Sequence, residues 1–425
     1  MPAPGAGHIH VKLAIVTETF PPEINGVAMT FGTLARELGH RGHMVTVYRP
    51  RRHDLPGDAS HPEFREIALP GLPIPGYPLL RLGLPAWGQL KKIWRADRPD
   101  LVHVATEGPL GTSAITAALA LGLPVTTSFH TNFHAYAGHY GCAPLRRLAL
   151  AWLRRAHNRA HLSFVPTREL CAELGTLGFR HVTLLSRGVD TRQFSPARRS
   201  AKLRVAWGIG PDTPVVLHVG RMAAEKNYPL LLRAFAAMRS ANHCCRFVLV
   251  GDGPLRASLR NELRGAIFTG FIPRDELALH YASADIYIHA SLTETFGNVL
   301  TEAMASGLAT ASFDYAATRQ FVRDGANGLA VPCAQPEALI AAAVRLAAEP
   351  GLRARLGPAA RATVEPQSWA NIITGFETDL AAVIAAAAGG QDPMARMQPV
   401  ASVPPFSAIA PAVSSAAVPP PAAHP

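Results

Sequence analysis

The sequence predicts an α/β protein made of two Rossmann-like units in tandem. Three observations carry that expectation. Short apolar runs of the kind buried on both faces of a parallel sheet alternate with amphipathic helical stretches along most of the chain. The alternation breaks once, at the turn-rich Gly188-Val-Asp-Thr-Arg-Gln-Phe-Ser-Pro196, and restarts at Val215-Val-Leu-His-Val-Gly220. A chain of 425 residues, 48% hydrophobic, is too long for one ordinary core and apolar enough for two.

Taken in order, Val11–Thr17 reads as a buried first strand. The prolines of Glu18-Thr-Phe-Pro-Pro-Glu-Ile-Asn-Gly-Val27 stop regular structure, and Asn25-Gly26 is a turn signal. Ala28–Gly39 follows as an amphipathic helix with Phe31, Leu34, Ala35 and Leu38 on one face and Gly39 as its C-cap. Met44–Tyr48 is a second strand, which makes the loop between them the kind at which α/β sheets bind ligands. It lacks a G-x-G-x-x-G, so it is not a dinucleotide fingerprint. The Pro- and Gly-rich stretch 50–85 reads as surface loops. Strands at Leu101–Ala105 and Val125–Phe129 flank a helix at Gly111–Leu121, and Pro144–Leu162 is a further helix. Phe164-Val-Pro and Val182-Thr-Leu-Leu complete the first series. After Val215, helices at Leu230–Arg239, Leu255–Arg264 and Asp275–Ala282 alternate with strands at Arg246–Gly251 and Ala266–Thr269. A strand follows at Ala309–Phe313, helices run from Pro336, and Pro366–Ile384 is a terminal helix. The nearly uncharged Ala/Pro-rich tail from Gly389 is expected to be disordered.

Composition narrows the class. No run of eighteen apolar residues is free of charge or proline, so no transmembrane helix is expected. Met1–His10 lacks the basic and apolar regions of a signal peptide. The five scattered cysteines (Cys142, Cys171, Cys244, Cys245, Cys333) form neither a disulfide framework nor a zinc pattern, which points to the cytoplasm. The net charge of +11 predicts anionic partners, with nucleic acid, anionic lipid and a phosphorylated substrate all open.

The second series holds the most informative stretch, Ser291-Leu-Thr-Glu-Thr-Phe-Gly-Asn-Val-Leu-Thr-Glu302. It reads as a strand, a tight turn and a helix start with one carboxylate on each side. Gly297 lets backbone approach a ligand, and the N–H groups of Gly297, Asn298 and Val299 form a helix N-terminus that favours an anion. Flanking carboxylates repel bare phosphate. They suit a ligand with phosphate in the middle and hydroxyls at both ends, as in a nucleotide sugar.

Five segments then occur together and in order: Pro22-Glu-Ile-Asn-Gly-Val27, Phe129-His-Thr-Asn-Phe133, Val219-Gly-Arg-Met-Ala-Ala-Glu-Lys226, Val250-Gly-Asp-Gly253 and the pair Glu294/Glu302. On these the chain resembles the retaining nucleotide-sugar glycosyltransferases of family 4, which have the GT-B fold. The narrower likeness is to bacterial GDP-mannose-dependent α-mannosyltransferases and related glycolipid-forming enzymes. It rests on Glu18-Thr-Phe-Pro-Pro, the segment around His130 to Tyr140, and Phe313-Asp-Tyr-Ala-Ala. One departure is Asn25-Gly26, where many relatives have two glycines.

The resemblance implies two Rossmann-like α/β/α domains facing a central cleft. A flexible N-terminus (1–10) precedes an acceptor-side domain (11–190), a linker (191–200) and a nucleotide-sugar domain (201–365). A helix (366–388) returns to the first domain, and the tail is 389–425. It also implies roles. Arg221 and Lys226 neutralise the departing diphosphate, where fixed cations count most once water is excluded. Glu294 binds the donor hexose, and Glu302 accepts from the ribose hydroxyls. Gly26, Phe296, Gly297, Asn298 and Val299 hold the donor, and Gly251, Asp252 and Gly253 border the nucleobase. His130 contacts the transferred sugar, while Asn25, His134 and Tyr136 are acceptor-side candidates. Ser186-Arg-Gly-Val-Asp190 reads mainly as architecture, with Arg187 as the residue able to face the cleft. No Asp-x-Asp stands at a strand end, so a metal is not expected to be required, with Mg2+ optional.

The helix predicted at Pro144–Leu162 carries Arg146, Arg147, Arg154, Arg155 and Arg159 against Leu145, Leu148, Trp152 and Leu153, and 141–168 contains no Asp or Glu. This fits either an interfacial helix on anionic lipid or a packed helix with a solvated basic face. The leading expectation is hexose transfer, from GDP-mannose, to a membrane or polyprenol-linked acceptor. The alternatives are a UDP-sugar with a soluble acceptor, a non-catalytic nucleotide-sugar binder and a nucleic-acid binder. The complete set Gly26, His130, Arg221, Lys226, Glu294 and Glu302 argues against the binder. The lack of basic clusters interleaved with aromatics argues against nucleic acid.

Overall fold

The structure is a computed structural model describing residues 10–23, 25–52, 57–74, 77–130, 143–210, 212–292, 294 and 296–390. The expected flexible N-terminus and tail lie outside these residues, apart from His10, Gly389 and Gly390.

The first unit contains β1 (Lys12–Val16), α1 (Gly26–His40), β2 (Met44–Pro50), β3 (Ala59–Ser60), β4 (Phe64–Leu69) and a separate hairpin of β5 (Gly71–Ile74) and β6 (Tyr77–Gly83). Then come α2 (Trp87–Ala96), β7 (Leu101–Val104), α3 (Pro109–Ala120), β8 (Val125–Ser128), α4 (Ala143–His157), β9 (Leu162–Val165), α5 (Arg168–Thr176) and β10 (Val182–Leu184). Its eight-stranded sheet has the order β10-β9-β8-β7-β1-β2-β4-β3. Every pair is parallel except the short β3–β4 edge. Strand order reverses between β1 and β7, so the chain end of β1 opens onto a crevice.

The second unit runs α6 (Ala201–Ala206), β11 (Val215–Val219), α7 (Tyr228–Ala241), β12 (Arg246–Val250), α8 (Arg256–Glu262), β13 (Ile267–Gly270), α9 (Arg274–Ser283) and β14 (Ile286–His289). It continues with α10 (Asn298–Ala305), β15 (Ala309–Phe313), α11 (Ala317–Phe321), β16 (Leu329–Val331), α12 (Pro336–Ala348) and α13 (Pro350–Val364). The six strands are all parallel in the order β13-β12-β11-β14-β15-β16, with the reversal between β11 and β14. Apolar clusters cover both faces, with Phe235, Phe247 and Leu346 in one and Tyr281, Tyr287 and Met304 in the other.

The chain crosses between units twice. The two crossings touch, since the Val189 N–H donates to Gln367 O at 2.9 Å beside a bridge from Val189 to Ser368. The second crossing leads into α14 (Trp369–Gly389). This helix is long and apolar enough to cross a membrane by length and composition. Instead Ile373, Phe376, Leu380 and Val383 join the core under β1 and α1, with Phe376 edge-on to His103 and Phe164. Glu377 fastens it to Arg41 at 2.6 Å and His43 at 2.9 Å.

Three expectations from the sequence are corrected. The stretch 50–85 is not all loop: β4 extends the main sheet beside β2. Its charged residues disguise it, because Glu66 is buried against Arg49. The helix expected to reach Leu162 ends at His157, since Leu162–Val165 is needed as a strand beside β8. Gly39 is not a C-cap. The helix runs on to His40, and Gly42 takes the left-handed conformation at φ 92°. Gly39 is small because the chain entering β4 crosses it: a Cβ there would sit 2.0 Å from the Glu63 carbonyl oxygen. Gly39→Ala is therefore expected to destabilise the protein by about 1–3 kcal/mol, the usual cost of overpacking. An unchanged urea midpoint would contradict this packing account.

Candidate active site

The loops that follow the strands at the second reversal build one wall of the site. After β11 the chain runs 220–227, and after β14 it runs 290–297. Three interactions join them. Lys226 Nζ donates to Glu294 Oε1, Asn227 Nδ2 donates to Ala290 O at 3.3 Å, and Ser291 Oγ donates to Glu225 O at 3.1 Å. Asn227 takes the left-handed conformation (φ 55°) that starts α7 and turns Lys226 toward the neighbouring loop. Gly297 is left-handed as well, at φ 98°, at the N-cap of α10.

Burial pushes the Glu294 carboxyl upward, but His289 and Lys226 more than offset this and hold it below the ordinary carboxylate range. Glu294 therefore stands as an anion. His289, 3.8 Å from it, is driven down to about 4 by burial and is neutral near pH 7, which leaves Lys226 as its standing counter-charge. Beneath lies His218, lowered to about 3 by burial, with Nδ1 3.2 Å from Ile288 O.

Glu302 sits separately, in α10, with Arg274 at 3.7 Å. Burial raises its carboxyl to about 7, against a partial opposing pull from Arg274 and Tyr281. It lines a groove of 700 Å³ bounded by Met29, Thr30 and Thr33 of α1, by Arg274 and by Trp369. Both units thus contribute to the groove.

The opposite wall comes from the first unit. His130 lies two residues beyond β8, edge-on to Phe31 at 5.4 Å, and both its ring nitrogens are buried without a partner. Burial first, then the Arg187 cation and neighbouring histidines, holds it well below its usual pKa, so the ring is neutral near pH 7. Gly26 opens α1. A Cβ there would sit 2.6 Å from Arg187 Nη1, so the absence of a side chain admits the guanidinium. Arg187 also lies 5.7 Å from the Phe296 ring centroid of the second unit.

Several expected residues take other positions. Asn25 is occupied as the cap of α1, accepting from the Val27 and Ala28 N–H groups at 3.1 and 2.9 Å and donating to Thr19 at 2.6 Å. Its side-chain oxygen is thus committed to the helix. Arg221 is exposed, whereas Lys226 is half-buried. Asp252 pairs with Arg256 at 2.8 Å, and Gly251 and Gly253 press against the backbone of Gly220 and Met222, so this stretch braces the loop of Arg221. Phe296 is buried in the core, and Val299 contributes a carbonyl to the Tyr281 hydroxyl at 3.1 Å. Asn298 Oδ1 is buried without a partner. Arg154, Arg147 and Arg155 of α4 are all exposed, and Arg154 also donates to Leu177 O at 3.2 Å. His134, Tyr136 and the Arg146 side chain lie outside the described residues. The sequence gives no signal for His218, His289 and Arg274, and offers Arg187 only as a residue able to face the cleft. A histidine inside a β-strand or an arginine in a turn carries no signal until its neighbours are known.

Two facing Rossmann-like units, with a cation–carboxylate wall on one side and a neutral histidine on the other, define a GT-B glycosyltransferase. Residues 24–193 match the model for Glycosyltransferase Family 4, and residues 213–349 match that for Glycosyl transferases group 1. The chain is 34% identical over 366 residues to the GDP-mannose-dependent alpha-mannosyltransferase of Mycobacterium tuberculosis, covering 84% of this chain and 93% of that one. It is 35% identical over 363 residues to the namesake of Mycolicibacterium smegmatis, covering 84% and 94%. Among solved structures, sucrose-phosphate synthase from Thermosynechococcus elongatus superposes with a TM-score of 0.69 at 20% identity, over 88% of this chain and 99% of that one. Anabaena HepE in complex with UDP and glucose gives 0.67 at 17% identity, over 88% and 100%. The chain belongs to glycosyltransferase family 4.

The raised Glu302 carboxyl has a consequence for stability. The folded protein holds this proton more tightly than the unfolded chain, whose value is the ordinary 4.5. The neutral group's contribution is complete below that value and is lost as pH rises through about 7. Glu302→Gln is thus expected to be more stable than the parent at pH 8, on the order of 1–3 kcal/mol, with the gain gone near pH 4. Thermal melts across that range test it; an equal gain at both ends would contradict it.

Proposed function

We propose that the protein transfers mannose from GDP-mannose, with retention at the anomeric carbon, to a lipid-linked acceptor at a membrane surface. The observation that carries this reading is the pairing of Lys226 with Glu294 across a cleft from His130, in a chain similar along most of its length to GDP-mannose-dependent alpha-mannosyltransferases. A retaining glycosidase would use two carboxylates about 5 Å apart, one as nucleophile. Here Glu294 is engaged by a lysine, which suits it to orienting a hexose hydroxyl. Glu302 lies in another groove and suits a vicinal diol. His130 is neutral near pH 7 and offers an N–H and a lone pair to the sugar, not a net proton.

In the step we propose, the bond between the anomeric carbon and the diphosphate oxygen breaks with its electron pair on the oxygen. The acceptor oxygen bonds to the anomeric carbon on the same face, and its proton passes to the departing phosphate. The charge that develops on the leaving group is met by Lys226, with Arg221 recruited from the exposed end of the same loop. The proposal assigns no step to a metal.

For the acceptor side, α4 presents Arg147, Leu148, Trp152 and Arg155 on one exposed face, with Leu148 69% and Trp152 43% accessible. Guanidinium groups flanking exposed Leu and Trp suit the interface of an anionic bilayer. The wide similarity to glycolipid enzymes, including alpha-monoglucosyldiacylglycerol synthase of Streptococcus pneumoniae, supports this. We therefore propose peripheral attachment to the inner face of the plasma membrane.

Incubating the protein with labelled GDP-mannose or UDP-glucose and extracted lipids tests the donor and the acceptor together. Mannose incorporated into the lipid phase is the expected result; transfer only from UDP-glucose, or only to a soluble sugar, would replace this reading. Glu294→Ala is expected to lower kcat about 10²-fold or more, whereas Glu302→Ala raises the KM for the donor. On vesicles of anionic lipid at low salt, Arg147→Glu with Arg155→Glu is expected to weaken binding by tenfold or more, since each basic group near the surface contributes about 1 kcal/mol. Binding that ignored both changes would remove α4 from the membrane surface.

A further inference from the structure

Arg187 has an unusual electrostatic position. It stands at the first crossing between the units and is 7% exposed. Its guanidinium rests against Gly26, at the N-terminus of the fifteen-residue α1, where the helix dipole is positive. The Val27 and Ala28 N–H groups are capped by Asn25, but Gly26 receives no such cap, and its N–H remains at the same helix end. From the second unit, the Phe296 ring flanks the guanidinium at 5.7 Å. Glu294 is near enough to be felt, yet its hydrogen bond goes to Lys226. Arg187 Nε is buried without an acceptor, and among the described residues no ion pair to Arg187 is formed.

A buried cation beside a positive helix end, with a lysine near the same carboxylate, is an unbalanced arrangement. Removing a charge from water costs several kcal/mol unless an opposite charge compensates. Glu294 compensates the Arg187 charge in part, and an anion entering the cleft would complete the balance. Burial also lowers the Arg187 guanidinium to about 10, which still leaves it charged near neutral pH.

We infer that Arg187 is a catalytic residue that binds the diphosphate of the donor sugar, holding it at the N-terminus of α1 and stabilising the charge as the group departs. The inference rests on the glycosyltransferase reading but not on the identity of the base or the sugar. It adds to Lys226 a cation from the opposite side of the cleft. The leaving oxygen takes the bonding electron pair, and Arg187 donates hydrogen bonds to the diphosphate oxygens without giving up a proton. Because Arg187 adjoins Gly188, whose Cα leaves no room for a side chain against Trp369, the same contact ties the diphosphate to the crossing between the units.

The test compares the parent protein, Arg187→Met and Arg187→Lys for binding of inorganic pyrophosphate, GDP and guanosine by calorimetry, and for single-turnover rate. Arg187→Met is expected to lose at least tenfold in affinity for pyrophosphate and GDP, to keep guanosine binding, and to slow transfer on the order of 10²-fold. Arg187→Lys is expected to recover part of both losses. Should the parent bind pyrophosphate Arg187-dependently but prefer UDP to GDP, the donor reading falls and the Arg187 assignment stands. Equal affinity for pyrophosphate in all three proteins would overturn the assignment. So would a parallel loss of guanosine binding, which marks a structural role. Arg187→Lys guards against a Met variant that fails to fold.

Discussion

The site depends on one ion pair, Lys226 with Glu294. Each residue lies on a loop that follows a strand at the reversal of the second sheet, and the pair joins those loops. A cation at contact distance keeps this partly buried carboxylate an anion. The lysine therefore fixes both the charge and the position of Glu294. The left-handed Asn227 and the Ser291–Glu225 bond serve the same join. With the wall in place, the open side of the cleft is the side the first unit covers.

That covering is a matter of topology. In each sheet the strand order reverses once, and the crevice at each reversal is lined by strand ends and helix starts. The two crevices meet because the chain crosses twice at nearly the same place. The bridge between Val189 and Ser368, and the packing of α14 under β1, bind the second crossing to the first unit. Further contacts lie at the rim: Arg319 pairs with Glu169 at 2.5 Å, and Gln320 donates to Ser186 at 3.2 Å. Both contacts are polar.

Charge is distributed unevenly across the cleft. The second unit balances its own, Lys226 against Glu294 and Arg274 near Glu302. The first unit brings a neutral His130 and an Arg187 whose Nε has no acceptor.

The sequence by itself determined the α/β alternation, the break near residue 190 and the pairing of a glycine turn with carboxylates at Glu294 and Glu302. Each of these is written in local order: strand periodicity, turn residues, and the spacing of a loop and helix start. It also fixed the family, because five short segments recur in one order. Other features were decided only by the tertiary structure. β4 was hidden because its Glu66 is satisfied by Arg49 on a neighbouring strand, and Gly39 was misread because the atom it makes room for belongs to residue 63. Asn25 caps α1, and the Thr19 hydroxyl that accepts from its amide comes from the preceding loop. Arg187 shows the difference most sharply. Its position in a turn lets it face the cleft, but only the approach of α1 from one unit and Phe296 from the other makes it a buried charge without an ion pair. Electrostatic meaning depends on distance through space, and distance through space is what a linear chain does not record.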